Sequence, residues 1–263
     1  MRIGYVQMEP RVGESEANRE RVRTAVLAAP EADLLVLPEL ANSGYHFESQ
    51  GQSAQLAEPV DGPFVALLRE LARARNLTLV SGLAERDGST LYNSAVLVRP
   101  DGSIELYRKL HLFLNEKDHF APGNLGLPVF QVGAARIGLL ICFDWQFPEA
   151  WRTLALRGAD IVCHPSNLVL PGLAQRAIPV HALLNRLYVV TANRIGTESG
   201  LTFTGRSILV GPRGELLAEA PETSEETRVV EIDPFLARDK SVTPRNDLLD
   251  DRRPEHYDCG RES

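Results

Sequence analysis

The run Ile137-Gly138-Leu139-Leu140-Ile141 limits the folds open to this 263-residue chain more than any other stretch. Five successive residues without a polar side chain do not alternate, so a strand built from them needs an apolar layer on each face. Pro148-Glu149 follows shortly after, where a proline in the first turn and an early carboxylate suit a helix start, and Gly158 is placed to end that helix. Cys142 therefore falls where a strand gives way to a helix. At such a junction the strand end holds the sulfur rigidly, and nearby backbone N–H groups can face a thiolate or an oxyanion. Taken alone, a buried and inert cysteine is the more ordinary account, because free cysteine packs like a small hydrophobe.

The same strand-then-helix order recurs. Met1 to Met8 reads as a strand, followed by Val22, Ala25, Val26 and Ala29 at helical spacing before Pro30. Asp33 to Leu37 is a second apolar strand that delivers Pro38-Glu39 at its C-terminal end, where open α/β sheets present functional groups. A loop spans Asn42 to Gln52. Asp61 is read as a helix cap, with Pro63 in the first turn and Phe64, Leu67, Leu68 and Leu71 as the buried stripe, before a strand through Leu77 to Val80.

Arg86-Asp87-Gly88 and Pro100-Asp101-Gly102 then punctuate hairpin-like runs, Leu91 to Val98 and Ser103 to Lys109. A long polar loop carries His111, Phe113, Glu116, His119 and Phe120. Strands are read over Val129 to Val132, Arg136 to Cys142 and Asp160 to His164, the last ending in Pro165-Ser166-Asn167. A helical region near Leu173 to Leu187 reads as interrupted by Pro179. Four more strands follow, over Tyr188 to Ala192, Arg206 to Val210, Glu215 to Ala220 and Thr227 to Ile232. Two stretches of βαβ units flanking hairpins imply an α/β protein with two sheets. The domain is read as residues 1–236, with 237–263 as an extended C-terminal arm.

Composition narrows the function. A net charge of −7 and a pI near 5.5, with no basic stripe, argue against nucleic acid or an anionic membrane as partner. No run approaches membrane-spanning length and the start lacks a signal-peptide pattern, so a soluble cytoplasmic protein is expected. Three ungrouped cysteines, Cys142, Cys163 and Cys259, fit a reducing compartment better than a disulfide framework. No Cys-x-x-Cys or His-Glu-x-x-His spacing and no phosphate loop is present, so neither metal nor cofactor is expected.

Three strand ends now offer a carboxylate at Glu39, an ammonium at Lys109 and a thiol at Cys142. A cysteine nucleophile near neutral pH needs a base or positive charge beside it, and an attacked carbonyl or nitrile needs a donor where negative charge develops. Of 28 basic residues only Lys109, Lys117 and Lys240 are lysine, so a lysine at 109 reads as selected for a compact ammonium.

Leu37-Pro38-Glu39-Leu40, Tyr107-Arg108-Lys109-Leu110-His111-Leu112-Phe113 and Cys142-Phe143-Asp144-Trp145-Gln146-Phe147-Pro148-Glu149 resemble, in order, the three signatures of the nitrilase, or carbon–nitrogen hydrolase, superfamily. His164 to Leu168, Tyr188 to Arg194 and Gly205-Arg206-Ser207 extend the likeness over nearly the whole chain. The resemblance implies a four-layer α-β-β-α sandwich with two central mixed sheets, paired into a homodimer or higher homo-oligomer. It implies Cys142 as nucleophile, Glu39 as general base, Lys109 beside the tetrahedral intermediate, and Glu116 as a second glutamate that positions substrate or supports Lys109. Phe143 would give a backbone N–H to the oxyanion. Tyr45, Phe113, Trp145 and Asn167 complete the substrate-binding set, and Phe120 is a further candidate for the pocket wall, with core packing the alternative for the aromatics. One departure is Leu184, where relatives commonly carry glutamate.

The implied activity is hydrolysis of a small aliphatic amide or nitrile through a thioester or thioimidate, with release of ammonia. N-carbamoyl amine or amino acid hydrolysis is the alternative within the superfamily. A non-catalytic binding protein, or a redox-sensing thiol pair of Cys142 and Cys163, would be the alternatives outside it.

Overall fold

The computed structural model describes residues 1–257; Cys259 and the end of the arm expected over 237–263 lie outside the described residues. In chain order the first half contains β1 (Arg2–Gln7), α1 (Ser15–Ala28), β2 (Leu34–Val36), α2 (Gln50–Leu56), α3 (Pro63–Arg75), β3 (Thr78–Asp87), β4 (Thr90–Val98), β5 (Ile104–Arg108) and α4 (Glu116–His119). The second half contains β6 (Val129–Val132), β7 (Ala135–Leu139), a 3₁₀ turn (Cys142–Gln146), α5 (Pro148–Leu156), β8 (Ile161–Ser166), α6 (Leu173–Asn185) and β9 (Tyr188–Asn193). It continues through β10 (Thr197–Glu198), β11 (Leu201–Thr202), β12 (Ile208–Val210), β13 (Leu216–Glu219) and β14 (Glu226–Glu231) to the small hairpin β15 (Ser241–Thr243) and β16 (Asn246–Asp247). Ala237, where the arm was expected to begin, is itself buried within a 3₁₀ turn, Pro234–Arg238, whose Phe235 and Leu236 are exposed.

Two six-stranded mixed sheets carry the fold, in the orders β14-β1-β2-β3-β4-β5 and β13-β12-β9-β8-β7-β6. In each, three neighbouring strands run parallel, β1-β2-β3 in one and β7-β8-β9 in the other, with antiparallel strands outside them. The central hairpins are therefore not a unit of their own. The strands β3 to β5 belong to the first sheet, and β6 and β7 to the second.

The pleat sorts side chains into layers, because successive strand residues face opposite ways. On β1 to β4, Ile3, Tyr5, Leu34, Val36, Val80, Ala95 and Leu97 face the second sheet and share one core with its Ile137, Leu139, Ile161 and Val190. The intervening Val6, Leu35, Leu79, Val96 and Val98 face α1 and α3, where Val22, Val26, Phe64, Leu68 and Leu71 meet them. On the far side α5 and α6 cover the second sheet through Trp151, Leu154, Ile178 and Ala182. The result is the α-β-β-α sandwich, and the all-apolar run before Cys142 is explained by it: each face of β7 meets an apolar layer. Gly138 lets α5 lie close, since a Cβ there would stand 2.9 Å from a Leu154 methyl.

Three local expectations are corrected. Asp61 does not cap α3; Gly62 precedes the helix, and it is Glu58 Oε2 that accepts from the Phe64 N–H, at 2.7 Å. The loop from Asn42 runs into α2 at Gln50, a helix with no apolar stripe to announce it, capped by Ser49 accepting from the Gln52 N–H. Pro179 does not interrupt α6, which runs unbroken from Leu173 to Asn185 because Ala174, Ile178 and Ala182 anchor it on both sides of the proline. Leu184 is exposed on that helix and has no part in the cluster around Cys142.

Candidate active site

Glu39 follows β2 and is held by backbone bonds to β3. The Leu37 N–H donates to Val80 O at 2.8 Å and the Gly82 N–H to Pro38 O at 3.0 Å. Gly82 is glycine because any Cβ would collide with the backbone of Glu39 and Leu40. Glu39 itself is fully buried. Its Oε1 accepts from Lys109 Nζ at 2.7 Å and from Asn93 Nδ2 at 2.7 Å, while Oε2 has no hydrogen-bond partner.

Lys109 comes directly after β5, with its N–H donating to Asn93 O at 2.8 Å and its carbonyl accepting from Gly123 N–H at 2.8 Å. The fully buried Nζ bridges Glu39 Oε1 and, at 2.8 Å, Glu116 Oε1. Glu116 starts α4, is buried, and receives the Tyr45 hydroxyl at 3.0 Å on that same oxygen and the Phe113 N–H at 3.2 Å on the other.

Cys142 sits at the turn from β7 into the 3₁₀ segment with φ of +40°. A side chain that bears a Cβ rarely adopts that region, at a cost of about 1–3 kcal/mol, so the surroundings must impose it. Two devices do. His164 Nε2 lies 2.8 Å from the Cys142 carbonyl, and as that oxygen can only accept, the imidazole donates there. Asp144, fully buried, accepts from the Ile141 N–H at 2.8 Å, the Tyr107 hydroxyl at 2.7 Å and the His111 N–H at 3.2 Å, with His111 Nδ1 at 2.7 Å. Tyr107 and His111 flank Lys109, while Ile141 and Asp144 flank Cys142. One carboxylate thus fixes the register between ammonium and thiol.

Electrostatics assign the resting protonation. Burial pushes the Cys142 thiol well above its ordinary range; the Glu39 charge adds to this and Lys109 opposes it. The resting sulfur is a neutral thiol, so attack requires a base at that moment. Burial would lower the Lys109 pKa, but Glu116, Glu39 and Cys142 outweigh it and the ammonium stays charged. Burial raises Glu116, against the pull of Lys109 and with the charge of Glu39 assisting, to about 7. His164 falls to about 4 by burial and is neutral.

A cavity of about 20 Å³ opens beside the sulfur, lined by Phe113, Phe143, Trp145, Asn167, Leu168 and Leu170 among others. Cys142, Phe143, Phe113, Trp145 and Asn167 are thus brought together, and the Asn167 backbone N–H works against burial by favouring the ionised sulfur. Tyr45 reaches the cluster from the opposite side, through Glu116. Phe120 is not in this cavity; it packs with Phe47 in a separate core. Neither side-chain atom of Asn167 nor Glu39 Oε2 has a partner although all are buried. Each such group costs about 1–3 kcal/mol, and their concentration around one sulfur marks where a reactant belongs. Asn93, His164 and Asp144 were not singled out from sequence. Their partners lie 54, 22 and up to 37 positions away, and only the spatial fold pairs them.

Among the described residues no group of three or more His, Cys, Asp or Glu is arranged to hold a metal ion, and no helix is long and apolar enough to cross a membrane.

Comparison with known proteins gives one family. Residues 2–240 match the family model described as carbon-nitrogen hydrolase. The chain is 46% identical to a protein named nitrilase from Pyrococcus abyssi, over 98% of this chain and 99% of that one. It is 39% identical to an (R)-stereoselective amidase of Pseudomonas sp., covering 100% of this chain and 97% of the other. Among solved structures an amidase from Nesterenkonia sp. superposes with a TM-score of 0.82 at 31% identity, over 97% of this chain and 94% of that one. A variant of the Nesterenkonia enzyme is described as carrying acrylamide, joined by Michael addition, at its active-site cysteine.

Proposed function

The chain belongs to the carbon-nitrogen hydrolase family, and from that premise we propose that it hydrolyses a short, uncharged aliphatic amide or nitrile at Cys142. The observation that carries this is the buried trio of Glu39, Lys109 and Glu116 gathered around one ammonium, with a strained neutral thiol beside it. Such a trio is expensive to bury, and apolar residues of similar volume would hold the fold as well or better, so its presence points to chemistry.

In this reading Glu39 Oε2, the unpartnered oxygen, takes the thiol proton as Sγ adds to the carbonyl carbon. The oxyanion that forms is met by Lys109 and the Phe143 backbone N–H. Glu39 returns the proton to nitrogen, ammonia leaves, and a thioester remains on Cys142. Water then attacks with Glu39 again as base, and the sulfur leaves with that proton as the carboxylic acid is released. A nitrile would add the sulfur across its triple bond to a thioimidate and lose ammonia on hydration. Glu116, near its midpoint at neutral pH, holds Lys109 and in this reading orients the nitrogen of the substrate.

Substrate size and charge are argued from the wall beside the sulfur. Phe113, Phe143, Trp145, Leu168, Val169, Leu170 and Ala174 contribute no charge, and the space is little more than one water. A carboxylate or a protonated amine on the substrate would find no partner there, which favours the amide or nitrile over N-carbamoyl amino acids. The test is ammonia release by wild type and Cys142→Ala across matched aliphatic nitriles, amides and N-carbamoyl amines. Turnover of short amides or nitriles, abolished in the variant, is expected; turnover confined to N-carbamoyl compounds, or equal rates in the two proteins, would sink the reading.

Two further parts of the reading concern context. The exposed apolar row Val180, Leu183 and Leu184 on α6 occupies one helix face, and we assign it to packing against a second copy of the chain. We assign the protein to a reducing compartment such as the cytoplasm, where the Cys142 thiol stays reduced and ungrouped cysteines are ordinary.

A further inference from the structure

We propose that Arg194 and Glu198 form a remote clamp that holds the Tyr45 hydroxyl on Glu116, and are positioning residues for the reaction. The inference rests on the reading of the Cys142 centre given above and adds to it two residues that do not touch the reacting atoms.

Arg194 follows β9 and has no exposed side-chain surface; its Nη1 is 3.1 Å from Glu198 Oε1. The guanidinium lies 3.9 Å from the centre of the Phe203 ring. Neither Nη atom makes a well-directed hydrogen bond, so the pair is held by charge alone. A buried ion pair of that kind is a poor stabiliser, because desolvation offsets most of its attraction. What it secures is the Glu198 carboxylate, which gathers three backbone donors from distant loops. Oε1 accepts from the Val12 N–H at 2.9 Å, and Oε2 accepts from the Tyr45 and His46 N–H groups, both at 3.0 Å.

The segment around Tyr45 is turn and bend without a strand partner, so no ladder fixes it. Glu198 supplies the missing anchor. Phe203 adds a second hold, its ring meeting the Tyr45 ring edge-on at 5.7 Å between centres. With the loop fixed, the Tyr45 hydroxyl reaches Glu116 Oε1, the same oxygen that takes Lys109 Nζ. The charged and titratable groups facing Glu116 are then Lys109 from the end of β5, Glu39 from the end of β2, Cys142 from the 3₁₀ turn and Tyr45 from this loop. Of these only Tyr45 depends on the clamp.

The experiment is a double-mutant cycle on the full chain, read as the pH dependence of Cys142 alkylation by iodoacetamide and followed on the Cys142 peptide by mass spectrometry. In the wild-type background Tyr45→Phe removes a hydrogen bond that favours ionised Glu116, so the inflection that Glu116 imposes on the alkylation rate near neutral pH, below the rise of the thiol itself, moves up by about one unit. In the Glu198→Gln background the hydroxyl is no longer held there, and the same deletion leaves the midpoint in place. An equal displacement in both backgrounds, or none in the wild type, overturns the clamp. If Glu198→Gln does not fold, Glu198→Asp replaces it, keeping the charge beside Arg194 but withdrawing the carboxylate from the loop amides. A full displacement there overturns the proposal, and a reduced one supports it. A merely structural Glu198 would change stability and leave the cycle additive. Because alkylation needs no turnover, absence of ammonia release by the wild type would count against the proposed reaction and not against the clamp.

Discussion

At the position of Lys109 the ammonium is enclosed by Glu39 at 2.7 Å and Glu116 at 2.8 Å, and the space between them fits one nitrogen. A guanidinium keeps the charge but carries it on a planar fork that needs more room and binds carboxylates side-on. Lys109→Arg should therefore lower kcat/KM for the amide by about 10²–10³-fold, the usual cost of losing one well-placed donor at a developing oxyanion, and steady-state kinetics on the folded variant checks it. Glu116 makes a prediction about stability. Its carboxyl titrates at about 7 in the folded chain against a reference of 4.5, so between those values the native state binds more protons than the unfolded one. Stability from this group falls as pH rises through that window. Urea titrations at intervals from pH 4.5 to 7 should show a downward contribution that is absent in Glu116→Gln; an identical slope in the two proteins would refute it. Glu39 and Cys142 were legible as candidates in the sequence because each follows an apolar strand with a residue type the strand does not need, and Lys109 because it follows a strand in a chain that mostly uses arginine. Asn93, His164 and Glu198 were not, because each looks like an ordinary polar residue until the fold reveals which distant backbone or side chain it serves.

Strands and helices here are positioned by a few close approaches, and two glycines separate stability from chemistry. A Cβ at Gly138 meets the mobile methyls of Leu154, which can shift, whereas a Cβ at Gly82 meets the backbone that carries Glu39, which cannot. Gly138→Ala should cost about 1–3 kcal/mol by overpacking and Gly82→Ala at least as much, measured as a lowered denaturation midpoint. Only Gly82→Ala should also depress kcat strongly at a temperature where both variants are folded, because it displaces the base. Equal activity losses would show that the β2–β3 approach does not set the position of Glu39. Elements with a strong pattern were readable: β7, α3 and α5 match the apolar runs and the proline starts that announce them. The short α2 was not, since Gln50-Gly51-Gln52-Ser53 carries no stripe, and Pro179 misled because burial on either side of it outweighs one missing backbone bond.

For the molecule as a whole, two sheets and the need for covering layers were readable from the strand pattern, whereas the α-β-β-α order came from the resemblance to the family signatures. The division of the hairpins between the two sheets did not follow, since it depends on which strand edges pair, and side-chain pattern does not encode that. The exposed row on α6 belongs to this scale too. Val180→Glu places a charge in the middle of the proposed contact and should shift the protein from dimer to monomer in sedimentation velocity; a monomeric wild type would remove the basis for the assignment.

The two sheets also share out the chemistry, with Glu39 and Lys109 on the first and Cys142 on the second, while β14 returns late in the chain to close the edge of the first. A chain cut between β5 and β6 would leave base and nucleophile on separate pieces, and the later piece would still carry an outer strand that belongs beside β1. The protein is thus built like a latch: neither piece can catalyse, each holds part of the other's architecture, and recovered ammonia release on mixing would report the moment the two interlock.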